Sequence, residues 1–121
     1  MHYQILSNFI NNRLRKNDIF VPSMILYLIK NRGTGSVEQI SRLIYIFDFR
    51  HELPYYETIV RKFCAVMLQE YNIVEEESEG HYRLKTWPLN EHEIEEITRE
   101  CMQVSNGFFS HLRHAPVKKA S

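Results

Sequence analysis

A small, mainly helical domain with one β-hairpin is what this sequence predicts, and three observations predict it. The run 54–71, PYYETIVRKFCAVMLQEY, has helical spacing and feeds straight into an alternating hairpin. Two apolar helical stretches separated by a Gly turn come before it. Amphipathic stretches flank this core, at 3–18 and 90–114. Helix, Gly turn, helix, short link, helix and hairpin, in that order, make the pattern of a winged helix-turn-helix flanked by N- and C-terminal helices.

Taken in order, Ile5, Leu6, Phe9, Ile10 and Leu14 recur three and four apart, with Arg13, Arg15 and Lys16 near the carboxyl end, where cations suit the helix dipole. Asn17 and Asp18 break this first helix. A second starts at Val21-Pro22-Ser23; its interior, 24–29, is apolar on nearly all sides, so it is expected to be the most buried, ending at Asn31-Arg32-Gly33. Gly33-Thr34-Gly35 then reads as a flexible turn. Ser36 with Gln39 forms a capping box ahead of Val37, Ile40, Leu43, Ile44 and Phe47, a third helix that ends near Asp48.

The central helix follows the link 49–53. Pro54 suits its first turn, and Glu57 sits where the dipole favours an anion. A 3.6-residue period puts Tyr56, Ile59, Val60, Phe63, Val66 and Met67 on the core side. Thr58, Arg61, Lys62, Ala65 and Gln69 take the outer side. Ile73-Val74, an acidic turn closed by Gly80, and the alternating 81–85 form the hairpin. Trp87-Pro88 punctuates the chain, and Asn90 with Glu93 makes a second capping box. Beyond it Ile94, Ile97, Cys101, Val104 and Phe108 form a stripe of about two and a half heptads. That stripe needs a partner: the first helix of the same chain, or its copy in a homodimer. The tail 115–121 is expected to fray.

At 121 residues the chain has room for one domain, 1–121, with its winged-helix core at 19–86. An apolar fraction of 44% is ordinary for a folded protein. No window resembles a membrane span, and the amino terminus lacks the order of a signal peptide, so a cytoplasmic location is expected. Cys64 and Cys101, both on helices, read as buried thiols. Fifteen Lys and Arg balance fifteen Asp and Glu, but up to Arg50 there are seven basic residues against three acidic ones. The chain is bipolar. Its acid gathers at Glu75, Glu76, Glu77 and Glu79 in the hairpin turn and at Glu91, Glu93, Glu95, Glu96 and Glu100 on the last helix.

No catalytic constellation is visible, so an enzyme is not expected. The histidines are scattered except for His111 and His114, and Cys101 lies too far off to complete a zinc set with them. The carboxylates at 91–96 radiate around a helix and lack a calcium loop, so neither metal nor cofactor is expected. There is no GxxxxGK, GxGxxG or GxSxG motif. Binding is the better class. In a winged helix the third core helix enters the major groove of double-stranded DNA, and here it would present Thr58, Arg61, Lys62 and Gln69, preceded by Tyr55. Arg61 suits guanine or phosphate, Lys62 phosphate, and Thr58 or Gln69 a base edge; Arg42 and Arg50 would clamp the backbone. The acidic hairpin tip would repel phosphate, which points the wing away from the duplex. The alternative is a protein-interaction adaptor that uses Glu75, Glu76 and Glu77 and the terminal helices.

The string 21–84 resembles the winged-helix module found beside HNH-type nuclease domains in bacterial restriction-like proteins. The likeness rests on LeuProTyrTyrGluThrIleVal at the start of the central helix and GluGlyHisTyrArgLeu at the end of the hairpin. It implies DNA contact through the helix bearing Arg61 and Lys62, in transcription regulation, host defence or a nuclease system. Family members carry a Pro-Gly-Arg-like turn mid-helix, where this chain has PheCysAlaVal. The chain has no HNH motif, so cleavage would belong to another polypeptide.

Overall fold

The computed structural model describes residues 2–15 and 18–105. It is mainly helical with a small three-stranded antiparallel sheet. Helix α1, His2–Arg13, buries Leu6, Phe9 and Ile10, and stops short of the expected residue 18. Helix α2, Phe20–Lys30, begins one residue before Val21, because Asp18 Oδ1 accepts the Phe20 and Val21 N–H groups at 3.0 and 3.3 Å. Eight of its eleven residues are buried, as its all-round apolarity predicts.

The turn after α2 departs from expectation. Thr34–Ser36 is a strand, β1, not a flexible loop. It pairs with His81–Leu84, so its structure is set by a partner nearly fifty residues away. Two glycines permit this. Gly33 has a φ of +91° and lies against Trp87, and at Gly35 a Cβ would stand 2.8 Å from the Tyr27 ring. Helix α3, Val37–Phe47, follows with its capping box formed: the Gln39 N–H donates to Ser36 Oγ at 3.1 Å, and the Ser36 N–H to Gln39 Oε1 at 3.0 Å.

The central helix runs as α4, Leu53–Ile59, a five-residue π-helical turn, Val60–Cys64, and α5, Ala65–Glu70. A π turn adds a residue to the helical circuit and shifts the phase of everything after it. The buried positions are therefore Tyr56, Val60, Cys64, Ala65 and Leu68. Phe63 and Val66, expected in the core, are 54% and 49% exposed, and Ala65, expected outside, is enclosed. The joint before this helix is pinned by the buried Tyr56 hydroxyl, which donates to the Asp48 carbonyl and accepts the His51 N–H at 3.2 Å.

Strands β2, Val74–Ser78, and β3, His81–Leu84, form the hairpin, with an irregularity between Glu76 and Ser78. The sheet order is β1-β3-β2. Helix α6, Glu91–Val104, starts at the second capping box, where the Glu93 N–H donates to Asn90 Oδ1 at 2.8 Å. It lies on α1 and α2, with Ile97 and Cys101 fully buried and Ile94 and Val104 packed at the margin of the core. The protomer itself thus covers the described part of the stripe. Ile97 and Cys101 are not a free dimer face. Phe108, His111, His114 and the expected tail lie outside the described residues.

Candidate nucleic-acid interface

The π turn decides what the central helix offers to solvent. With Tyr56, Val60, Cys64 and Leu68 inward at four-residue intervals, the opposite row is Thr58, Lys62 and Val66, all exposed. Arg61 flanks this row on the hairpin side and Phe63 on the side of α1 and α2. The Thr58 hydroxyl donates back to the Pro54 carbonyl at 3.1 Å, and Gln69 is half-buried. Lys62 stands in the middle of the row and makes no ion pair among the described residues.

Arg61 is placed differently. Both of its terminal nitrogens lie about 3.6 Å from where a Cβ on Gly80 would be, so the guanidinium rests against the hairpin turn. It shares a shallow hollow of about 250 Å³ with Glu38, Glu57 and Glu79. Its field also reaches Tyr82, whose phenol is pushed up by burial and by Glu76 and drawn down by Arg61. Arg61 is a cation among carboxylates. Arg42 is exposed on α3, whereas Arg50 donates to Asp48 at 2.6 Å, a bond that holds its guanidinium above its ordinary pKa. Among the described residues, Lys62 and Arg42 neither form an ion pair nor line the acidic hollow, unlike Arg50 and Arg61.

The hairpin acid is partly tied down. Arg83 pairs with both Glu75 and Glu77, the latter at 3.2 Å, and the Gly80 N–H donates to Glu76 Oε2 at 2.9 Å. Glu79 remains exposed. The thiols of Cys64 and Cys101 are free and buried, and burial pushes both well above the usual thiol range. No group of three or more His, Cys, Asp or Glu that would hold a metal occurs among the described residues.

No family model, curated protein or solved structure matches this chain.

Sequence reasoning missed the second feature of this face. Phe63 and Met67 line a groove of about 680 Å³ opposite Ile19 and Phe20, with Arg13 and Arg15 at its edge. One signal was available: 63–68 is six apolar residues in a row, more than one helical stripe can bury. Tyr45, Ile46 and Tyr55 add further exposed apolar surface on α3 and at the start of α4.

Proposed function

We propose that this chain is a winged-helix module that binds double-stranded DNA, with Leu53–Glu70 as its recognition helix and Lys62 as its leading contact. The observation that carries the reading is topological. Three helices, α2, α3 and the central helix, are followed at once by the β2-β3 hairpin, and β1 joins that hairpin in the order β1-β3-β2. This is the arrangement in which a third helix is held out from the body of the domain for groove contact. Lys62 and Thr58 lie on the outward row, and Arg42 on α3 is free to reach phosphate. Because Arg83 binds two of the hairpin carboxylates, the wing repels phosphate less than its sequence suggests. A regulator, or the DNA-targeting module of a nuclease or defence system, fits this reading and the sequence resemblance.

A second reading, a protein-interaction adaptor, is favoured by the exposed Phe63, Val66 and Ile46, since apolar surface of this kind has little to offer a phosphate backbone.

Fluorescence anisotropy with random duplex DNA at about 50 and 200 mM salt separates the two. Three or four phosphate contacts predict an affinity loss of roughly 40- to 150-fold over that range. Lys62→Ala should weaken binding more than Arg61→Ala, because Arg61 already faces carboxylates. Absence of binding at 50 mM salt would overturn the DNA reading.

A further inference from the structure

The groove beside Phe63 is independent of the DNA reading and lies on the other flank of the central helix. From it we infer a docking trough for an acidic, amphipathic helix of a protein partner.

The π turn comes first: such turns are rare and are frequently found at functional sites. Here it lifts a phenylalanine out of a position the core would otherwise take, leaving Phe63 more than half exposed. The exposed ring forms one wall of the groove with Met67, facing Phe20.

A second hollow of about 460 Å³ shares Arg13 with the groove and is lined by Ile5, Phe9 and Tyr71 together with Asn8 and Asn12. Ile5 to Arg13 alone covers about 12 Å of helix, the length of about 8 helical residues, and the first hollow adds to it. Such a length exceeds what a small ligand fills and suits apolar anchors spaced i, i+4, i+7 and i+11.

Arg13 and Arg15 are exposed and form no ion pair among the described residues, and the Arg13 guanidinium stands 5.6 Å over the Tyr71 ring. Asp18 is the one carboxylate lining the first hollow, and its Oδ1 is occupied by two backbone N–H groups at the start of α2. Two guanidiniums over an apolar floor complement a helix with Glu or Asp beside its anchors, since carboxylates bind guanidinium bidentately. A nucleic-acid strand would leave the floor unmatched.

The test uses the full chain and a fluorescein-labelled peptide of about 14 residues, with Leu at i, i+4, i+7 and i+11 and Glu at most other positions. A scrambled peptide and one with Lys for every Glu serve as controls. The acidic peptide should bind at tens of micromolar, and Phe63→Ser and Arg13→Glu should each weaken it about tenfold or more. Both side chains are exposed, so thermal melting should show the variants folded. Arg13→Glu should also improve binding of the Lys peptide. Equal binding of acidic and scrambled peptides, or indifference to both variants, overturns the proposal. So does stoichiometric binding of decanoate without the peptide, which would make the groove a small-ligand site. Self-association abolished by Phe63→Ser without peptide binding overturns it in favour of a second copy, and duplex DNA affinity lost in Arg13→Glu without any peptide binding overturns it in favour of a phosphate contact.

Discussion

Helix α6 and the central helix look alike in sequence and differ in what they bury. Along α6 the residues three and four apart, Ile94, Ile97, Cys101 and Val104, are those that meet the core. Along the central helix the same arithmetic places Tyr56 and Val60 correctly and then fails, because Phe63 and Val66 point out while Cys64, Ala65 and Leu68 point in. A 3.6-residue period holds only while the helix keeps its phase, and the π turn at Val60–Cys64 inserts one residue into that count. The difference teaches that a stripe locates a buried face only as far as the next irregularity. Here that irregularity moves the proposed site.

The largest expected effect comes from deleting one residue in each helix. Without Phe63, the order becomes Tyr56, Val60, Cys, Ala and Leu at i, i+4, i+7, i+8 and i+11, a regular α stripe with every buried residue kept. This deletion should leave stability within about 1 kcal/mol of the parent, an exposed residue having been lost and a straight helix gained. Removing Thr98 from α6 has the opposite consequence, because it rotates Cys101 and Val104 off their contacts with α1 and α2. A loss of roughly 2–4 kcal/mol is expected. Urea titration of both variants checks this. If the Phe63 deletion unfolds the protein while the Thr98 deletion does not, the phase account of the two helices is wrong.

How legible each part was follows from the range of the interactions that make it. Both capping boxes, Ser36 with Gln39 and Asn90 with Glu93, were readable because each closes within three residues. The burial of α2 was readable from composition alone. Strand β1 was not, since three residues show no alternation and Thr34–Ser36 is a strand only by virtue of β3. Arg61 suits DNA contact by its type and its face, but what it meets is the turn around Gly80, which no local pattern reveals. Glu100 likewise looked like part of an acidic surface. It is buried between α6 and α1, where the Ser7 hydroxyl donates to it at 3.0 Å.

A smaller effect separates the helices at their starts. Helices α3 and α6 begin on side-chain caps, whereas Glu52 before α4 makes no side-chain cap bond and Pro54 fixes the first turn instead. Ser36→Ala and Asn90→Ala should each destabilise by about 1 kcal/mol. Glu52→Ala should change almost nothing. Thermal melts of the three variants decide it, and an equal loss at Glu52 would mean that the central helix depends on a cap after all.

The smallest effect concerns charge at a helix start. Asn90 caps α6 with a neutral amide, while Asp18 serves α2 with a carboxylate that is partly buried beside Ile19 and Phe20. Burial raises the Asp18 pKa above its ordinary value, against the opposing pull of the Val21 and Phe20 N–H groups and the Arg15 charge. A carboxyl raised on folding binds its proton more tightly in the native state, so stability from this group is lost as pH rises from the unfolded pKa through the folded one. Asp18→Asn keeps an oxygen acceptor for the two N–H groups and removes the ionisation. The variant should therefore match or exceed the parent at pH 7, by roughly 0.5 kcal/mol or less given solvent screening. Below the ordinary carboxylate pKa of about 3.9 that advantage should vanish, because the parent is then protonated in both states. Urea midpoints at pH 7 and pH 3 give the comparison. An Asn variant weaker than the parent at pH 7 would show that the negative charge at the start of α2 stabilises the helix dipole more than its burial opposes it.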